Sequence, residues 1–460
     1  MSKHDLSAPV RPGQRIQVPI HGLGHSGEGV GRYQGLTVFV PGGAPGDLLD
    51  VRIVEVKKNY ARGDLAAVVQ PSPHRVAPPC PVVGECGGCQ LQHIAYPAQL
   101  DLKRQQVVDA VERLGKLTGV TVHPTRGMTE PWNYRNKAQF PVGLRSGRIV
   151  AGFYAPGTHR IVAIEQCAIQ HPLGNRIMQV VTELAGKYGV PIYDEALHRG
   201  VLRHVLARVG RGTGEAMAVL VTNGPELPSG KKIAREIMER IPAVVSVVQN
   251  INPEQTNVIL GRESRLLAGK ESITDHIGDL AFEISPVSFF QVNPEQTEVL
   301  YGQALAYAGL TGSETVLDVY CGIGTISLFL ARKAREVIGI EVVPEAIEDA
   351  RTNARRNGIA NARFLCGDAA VEMPRLAEAG IHPDVIVVDP PRKGCDEPVL
   401  QAMAAMAPER IVYVSCNPAS LARDLGVLAG LGYRTVEITP VDMFPHTAHV
   451  ECCSLLVRGQ

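Results

Sequence analysis

The stretch VLDVYCGIGTISL, residues 316–328, decides how the C-terminal part of the chain folds. An apolar run with strand character leads into a glycine-containing turn, and a second apolar run with helical spacing follows. Gly322 and Gly324 let the backbone approach a ligand closely, and the free N–H groups at the start of a helix can meet that ligand. The stretch therefore predicts a strand, a ligand-binding turn and a helix.

The same alternation continues around this stretch, from about residue 295 to the end of the chain. Strand patterns recur in EVIGIEVV, ARFLCGD, DVIVVDPPR and RIVYVS, and helical patterns lie between most of them. Strands that alternate with helices form a doubly wound, mostly parallel sheet, and ligands bind beyond the carboxyl ends of its strands. We therefore predict an α/β, Rossmann-like domain over residues 291–460.

Acidic residues stand at the ends of these strands. Glu341 can accept both hydroxyls of a ribose, and Asp368, at the end of the next strand, can reach an adenine edge. The turn lacks the third glycine of dinucleotide-binding enzymes, and Asp318 precedes it. This pattern predicts a pocket for S-adenosylmethionine, with an NAD site as the alternative. Asp389, fixed by two following prolines, is expected to point into the same cleft, unless it merely caps a helix.

A cysteine, Cys416, follows the last parallel strand and precedes Asn417 and Pro418. A thiolate at this edge can add to carbon 6 of a pyrimidine and make carbon 5 nucleophilic. The proton on carbon 5 must then leave to a base, and Glu451, at the start of the final strand, is the candidate. The alternatives are an inert buried thiol and an ordinary strand-end carboxylate.

Five long motifs resemble those of the bacterial RNA uracil-5-methyltransferases, in the same order: ISPVSFFQVNPEQTE, VLDVYCGIGT, VVDPPRKG, SCNPASLARD and FPHTAHVE. The resemblance covers nearly the whole chain. It implies Cys416 as the nucleophile and Glu451 as the base. RNA cytosine-5 methyltransferases are less similar, since they carry a cysteine where this chain has Arg392.

The resemblance also implies roles for other residues of the cleft. Phe289 matches the aromatic residue that stacks in the active site. Asp389 matches either a methyl-donor contact or a contact to the uracil edge. The full set of implied donor contacts is Gln291, Tyr320, Glu341 and Asp389.

A cysteine cluster lies far from these motifs in the sequence. CPVVGECGGC places Cys80, Cys86 and Cys89 within ten residues, and Cys167 can supply a fourth thiol. Four thiolates suit zinc or a [4Fe–4S] cluster, and the absence of a second Cys-x2-Cys pair favours iron–sulfur. The cluster resembles that of the iron–sulfur members of the family, which implies [4Fe–4S] in a structural role.

The rest of the chain predicts two further domains. Residues 1–72 have the short strands and glycine turns of a small barrel, and they resemble the oligonucleotide-binding TRAM module. Residues 73–290 predict an α+β central domain that holds the iron–sulfur site. Candidate RNA contacts, each of which can equally be surface or core, are Arg32, Tyr33, Lys57, Lys58, Tyr60, Arg62, Trp132, Tyr134, Arg135 and Lys137.

Composition sets the remaining expectations. The chain has 460 residues with a formal net charge of zero, and no apolar stretch suggests a membrane span or a signal peptide. We expect a cytoplasmic monomer whose ten cysteines are thiols or ligands rather than disulfides. The expected substrate is a uridine of 23S rRNA, with no DNA or membrane partner, because the tRNA enzymes of the family that the chain resembles generally lack both the barrel and the cysteine cluster. The alternatives are a tRNA methyltransferase and a non-catalytic RNA-binding protein.

Overall fold

The computed structural model describes residues 9–459. The chain begins with a closed barrel of five strands in the order β1-β2-β3-β5-β4. Alternate side chains of these strands, among them Val18, Val38 and Leu49, are fully buried and fill the barrel. The strands are β1 Arg15–Leu23, β2 Gly29–Tyr33, β3 Leu36–Val40, β4 Leu48–Val56 and β5 Tyr60–Gln70.

A mixed sheet of seven strands forms the centre of the chain, in the order β13-β12-β11-β10-β7-β8-β9. Helices α2 and α3 cover one of its faces with apolar side chains, and a separate hairpin, β14–β15, follows. The elements up to this point are α1 Tyr96–Arg113, β6 Thr121–Val122, β7 Lys137–Arg145, β8 Arg148–Tyr154, β9 Ile161–Ala163, α2 Pro172–Lys187, β10 Leu202–Val209, β11 Ala216–Thr222, α3 Gly230–Arg240, β12 Val244–Ile251, β13 Glu263–Gly269, β14 Ile273–Ile277 and β15 Leu280–Ile284.

The C-terminal part is the doubly wound sheet that the sequence predicts, in the order β18-β17-β16-β19-β20-β22-β21-β6. Strands β16 to β20 are parallel, and β22 runs antiparallel to β20. Its elements are α4 Pro294–Ala308, β16 Thr315–Val319, α5 Thr325–Ala331, β17 Glu336–Glu341, α6 Pro344–Arg356, β18 Ala362–Cys366, α7 Ala369–Glu378, β19 Val385–Val388, α8 Glu397–Ala405, β20 Arg410–Ser415, α9 Pro418–Gly430, β21 Tyr433–Val441 and β22 Glu451–Arg458.

The strand order reverses between β16 and β19, and this reversal positions the cleft. The chain proceeds outward from β16 through β17 to β18, then returns to place β19 on the other side of β16. The loops that follow β16 and β19 therefore diverge and leave a crevice at the carboxyl ends of the strands. The glycine turn follows β16, and Asp389 follows β19.

Two elements from the range predicted for the central domain pack on the C-terminal sheet instead. Strand β6 pairs in parallel with β21, and α1 packs against α9. The buried Lys103 of α1 donates to Asp442 Oδ1 at 2.5 Å and to the Phe444 carbonyl at 3.1 Å. Since Lys103 and Asp442 are almost completely inaccessible to solvent, this ion pair fixes α1 to the segment that precedes β22.

Two further expectations concern the chain as a whole. The ten cysteines all lie within residues 9–459, and none of them is joined to another in a disulfide there. Over residues 9–459, no helix is both long enough and apolar enough to cross a membrane.

Candidate active site

The glycine turn after β16 forms an open cradle in the crevice. Gly322 and Gly324 have φ angles of 54° and 81°, in the left-handed region that favours glycine. A Cβ atom on Gly322 would have no atom within 4 Å and would project into open space, whereas one on Gly324 would lie 3.1 Å from the Phe364 ring. Gly322 thus leaves room for a ligand, and Gly324 lets α5 begin close to the sheet.

Glu341, at the end of β17, borders this cradle. Its Oε2 accepts the Gly322 N–H at 3.2 Å, and its Oε1 accepts the Val343 N–H at 3.0 Å. Each oxygen keeps a lone pair that can accept a ribose hydroxyl. The side chains of Val342 and Val343, which follow, are exposed and offer an apolar surface for a flat ring. The cradle therefore fits the ribose and adenine of S-adenosylmethionine.

Buried carboxyl groups lie beneath the cradle. Ser327 donates a hydrogen bond to Asp318, which is almost completely buried. Burial raises the pKa of Asp318 to about 7. The hydrogen bond from Ser327 opposes this rise, and the nearby carboxylate of Asp389 adds to it. Burial likewise raises the pKa of Asp389 to about 6. Acidic groups whose pKa values lie near neutrality are typical of reaction centres.

Cys416 and Glu451 meet at the edge of this cleft. The antiparallel register places Ser415 of β20 opposite Cys452 of β22, which brings Cys416 level with Glu451. Burial and the carboxylates of Glu451 and Asp389 raise the pKa of Cys416 to about 11. Burial and Asp389 raise the pKa of Glu451 to about 8. The three groups thus lie close enough to influence one another.

An exposed arginine opposes these shifts. Arg392, in the loop after Asp389, lowers the pKa of both Cys416 and Glu451 by its positive charge. Asp389 itself caps no helix, because α8 begins at Glu397 with Asp396 as its N-cap residue. The alternative that Asp389 is a helix cap is therefore excluded.

Phe289 lies on a loop that is held from beneath. Its side chain is 70% exposed, an unusual exposure for an aromatic ring. The buried Arg208 of β10 donates to the carbonyls of Pro286 and Ser288, at 3.2 and 2.5 Å. Gln291, two residues further on, is buried. The loop is thus fixed while the Phe289 ring stays free to contact a base.

Two other residues predicted to contact the methyl donor, Tyr320 and Asp368, also contact neighbouring parts of the protein. Tyr320, directly after β16, has a φ angle of 66° and packs partly against the core under the cradle. Asp368 is exposed and is the N-cap residue of α7, where its Oδ1 accepts the Ala370 N–H at 2.8 Å. A local capping role therefore accounts for Asp368 without a ligand.

The cysteine cluster forms a second site. Cys80, Cys86, Cys89 and Cys167 all line one cavity of about 340 Å³. Burial raises the pKa of Cys89 to about 12, and the other three thiols add to that effect, which indicates that they lie near one another.

Among residues 9–459, no group of three or more His, Cys, Asp or Glu side chains is arranged to hold a metal ion. Four thiols around one cavity are a donor set that zinc or a [4Fe–4S] cluster can use.

Cations also line the cysteine cavity. Arg135 and Lys137 contribute to its wall. Burial, with the nearby Arg208 and Arg135, lowers the pKa of Lys137 to about 8. A negatively charged group held by the thiols would stabilise these cations.

The candidate RNA contacts fall into two groups. Tyr134 is completely buried and donates to the Pro445 carbonyl at 3.1 Å, so its predicted role as an RNA contact was wrong. Trp132 stacks on His446 with the ring centroids 3.7 Å apart. In the barrel, the residues with exposed side chains are Arg32, Lys57, Lys58 and Arg62, and those with partly exposed ones are Tyr33 and Tyr60.

Sequence reasoning missed two charged residues near the cleft. Asp424 of α9 is buried and accepts hydrogen bonds from the Tyr413 hydroxyl at 2.5 Å and the Cys395 N–H at 2.8 Å. It thereby holds the loop that carries Asp389 and Arg392. The sequence could have indicated Asp424, because it is an acidic residue on the apolar face of α9. Leu421, Leu425 and Leu428 lie on the same buried side of that helix. No sequence signal distinguishes the exposed Arg392 from other surface arginines.

A doubly wound sheet with a glycine cradle after its central strand and an acid at the end of the next strand is an arrangement in which α/β proteins bind ligands that contain a nucleoside. Residues 265–459 match the family model for tRNA (uracil-5-)-methyltransferases, and residues 9–66 match the model for the TRAM domain. The chain belongs to the RNA uracil-5-methyltransferase family. The predicted family, barrel and methyl donor are thereby confirmed.

Full-length relatives support this assignment. The chain is 55% identical to an uncharacterized RNA methyltransferase of Halalkalibacterium halodurans, over 99% of each protein. It is 50% identical to one of Clostridium tetani, over 97% of each. Among solved structures, it is similar to the Pyrococcus abyssi tRNA (uracil-54, C5)-methyltransferase in complex with S-adenosyl-L-homocysteine. That match has a TM-score of 0.77 and 29% identity, and it covers 96% of this chain and 100% of the other.

Proposed function

We propose that this enzyme methylates carbon 5 of a specific uridine in 23S rRNA, with Cys416 as the nucleophile and Glu451 as the base. The observation that carries the proposal is the strand register that brings Cys416 level with Glu451, beside Asp389. These groups share the crevice at the strand ends with the glycine cradle. An inert structural thiol would have no need of two buried carboxyl groups beside it.

The chemistry follows from these positions. Bound S-adenosylmethionine supplies an electrophilic methyl group. The Cys416 thiolate adds to carbon 6 of the uracil, and the electron pair of the 5,6 double bond moves to carbon 5. Carbon 5 takes the methyl group, and S-adenosylhomocysteine is released. Glu451 then removes the proton on carbon 5, the 5,6 double bond forms again, and the bond from carbon 6 to sulfur breaks.

The uracil has to leave its base stack to reach Cys416. Base-modifying enzymes extrude the target nucleotide and stack it on aromatic side chains. Phe289 offers an exposed ring on a loop fixed by Arg208, which suits this task. Asp389, held beside Cys416, can contact the uracil edge or the methyl donor. Gln291, Tyr320 and Glu341 remain the proposed donor contacts.

We also propose that the cysteine cavity holds a [4Fe–4S] cluster bound by Cys80, Cys86, Cys89 and Cys167. The single cavity lined by these thiols, with Arg135 and Lys137 on its wall, supports this proposal. A cluster with four thiolate ligands carries negative charge, which those cations would balance.

The target RNA has a second candidate, tRNA. The sequence argument for 23S rRNA rested on the barrel and the cysteine cluster, which tRNA enzymes of the family generally lack. The archaeal structure weakens the first part of that argument, because a tRNA enzyme matches nearly the whole length of this chain. The resemblance to the iron–sulfur members keeps 23S rRNA as the first candidate.

Methyl transfer to defined RNAs distinguishes these candidates. Anaerobically purified enzyme is incubated with methyl-labelled S-adenosylmethionine and unmodified transcripts of 23S rRNA and tRNA, and the labelled nucleotide is mapped by mass spectrometry. We expect 5-methyluridine at a discrete position of 23S rRNA, and none with Cys416→Ala. Label confined to tRNA would establish the second candidate, and label on cytosine or on a base other than uracil would overturn the proposal.

A further inference from the structure

Two segments that are distant in sequence lie side by side. The cysteine loop, residues 80–91, carries three of the four clustered thiols, and the base loop, residues 444–451, ends at Glu451. The N–H groups of Gln90 and Leu91 both donate to the His446 carbonyl, at 3.1 and 2.9 Å. The two sites are thus in direct contact, although the sequence assigns them to different domains.

The Gln90 side chain strengthens this contact. Its Oε1 accepts the Ala448 N–H of the base loop at 3.3 Å. Its Nε2 donates to the Gly87 carbonyl, between Cys86 and Cys89, at 2.8 Å. The side-chain amide of Gln90 therefore joins the backbone at Gly87, in the cysteine loop, to the backbone at Ala448, three residues before Glu451.

The base loop is held from a second side by a different set of contacts. Gln99 of α1 accepts the His446 N–H at 3.1 Å and donates to His446 Nδ1, 3.2 Å away. His446 has a φ angle of 67°, and Trp132 stacks on its ring. A non-glycine residue in this region of backbone conformation is strained, so the loop needs contacts on both sides to keep its shape.

The cysteine loop has little regular structure of its own. No helix and no strand of the described chain falls within residues 80–91. Its conformation therefore depends on turns and on whatever its thiols bind. A group held by those thiols would fix Gly87 and Gln90, and through them the base loop.

We propose that Gln90 is a positioning residue through which the cysteine loop, and the group its thiols hold, keeps Glu451 in place for proton removal from carbon 5. This inference rests on the proposed function. In the affected step, the proton passes from carbon 5 to the Glu451 carboxylate, the 5,6 double bond forms, and Cys416 leaves as the thiolate. Addition of Cys416 and methyl transfer precede this step and do not use Gln90.

Gln90→Ala tests this role, with Gln401→Ala, an exposed glutamine on α8, as the matched control. Single-turnover reactions with unmodified 23S rRNA and tRNA transcripts measure the covalent protein–RNA adduct and its decay on denaturing gels. Loss of one or two hydrogen bonds of about 1 kcal/mol each should slow adduct decay about five- to thirtyfold in Gln90→Ala. Adduct formation should stay close to that of the wild type. Adduct decay at the wild-type rate, or equal slowing of formation and decay, would overturn the proposal.

Hydrogen exchange gives a readout that does not need a functioning site. Amides of residues 446–451 should exchange faster in Gln90→Ala and in Cys86→Ser than in the wild type, and Gln401→Ala should leave them unchanged. Unaltered exchange in Gln90→Ala would also overturn the proposal. Failure of the proposed function is a separate result, since the wild type itself would then form neither adduct nor 5-methyluridine.

Discussion

Among single residues, the charges around Cys416 govern when the thiol can react. Its pKa of about 11 and that of Glu451, about 8, are both raised by burial and by Asp389. In the proposed mechanism both groups act in their deprotonated forms, so the rate of methylation should rise with pH through the neutral range. In the proposed mechanism, the Asp389 carboxylate, which also raises the thiol pKa, can accept the thiol proton when uracil binds, and Glu451 stays free to take the proton of carbon 5.

Arg392→Gln should move this pH profile. Arg392 lowers the pKa of both Cys416 and Glu451, so its removal raises both, and the rise in rate shifts to higher pH. For an exposed charge, we expect the rate at pH 7 to fall about two- to threefold and to recover at higher pH. Single-turnover rates measured across pH check this. Arg392→Lys, which keeps the charge, should retain the wild-type profile, and a uniform loss at every pH would argue against the electrostatic role.

At the scale of elements, the two glycines of the cradle should have different tasks. Gly322→Ala adds a Cβ in open space where the methyl donor is expected, and Gly324→Ala adds one 3.1 Å from Phe364. The first should weaken the binding of S-adenosylhomocysteine at least tenfold. The second should chiefly lower the stability of the fold, because α5 must shift by tenths of an ångström.

Calorimetry with S-adenosylhomocysteine and thermal unfolding separate these effects. Both substitutions carry the cost of a left-handed non-glycine residue, about 1–2 kcal/mol, so the comparison between them is the control. Equal affinity for the ligand in both variants would contradict the assignment of Gly322 to the cradle.

The elements of the cleft were predictable because each has a local signal. The glycine turn, the acid after β17 and the Asn-Pro pair that begins α9 all stand at ends of apolar runs. The docking of α1 and β6 on the C-terminal sheet was not predictable in this way. Strand β6 has only two residues, and its place is decided by tertiary contacts such as the bond from Arg104 of α1 to the Val122 carbonyl, while the ion pair between Lys103 and Asp442 fixes α1.

Side-chain orientation was the other limit of the sequence. Tyr134 and Arg135 are adjacent in a motif that suggested an RNA groove, yet Tyr134 is completely buried, whereas Arg135 is only partly buried. Which member of such a pair enters the core depends on the strands packed above it. Likewise, no spacing of cysteines could indicate that the cysteine loop contacts the base loop.

At the scale of the whole molecule, the proposed methylation site is contacted by residues from distant parts of the chain. Arg208 of the central sheet supports the Phe289 loop, and Gln90 of the cysteine loop supports the base loop. Residues outside the C-terminal sheet thus hold two loops of the proposed reaction centre. A family fold alone does not supply these supports.

The metal content of the whole protein tests the proposed cluster. Anaerobically purified protein should contain about four iron atoms and four acid-labile sulfides per chain. Cys86→Ser should lose most of this iron, and Cys366→Ser, which changes an exposed cysteine outside the cavity, should not. One zinc atom per chain and no sulfide would contradict the [4Fe–4S] proposal.

The covalent adduct of a Glu451→Gln variant tests the central claim most directly. Without a base to remove the proton from carbon 5, the methylated uracil should remain bonded to Cys416. Incubation with S-adenosylmethionine and the RNA that the wild type methylates should then yield a protein–RNA complex that resists denaturation. Mass spectrometry of its peptides should locate the bond at Cys416 and find one added methyl group on the uracil. Absence of the adduct, or an adduct that persists in Cys416→Ala/Glu451→Gln, would contradict the account.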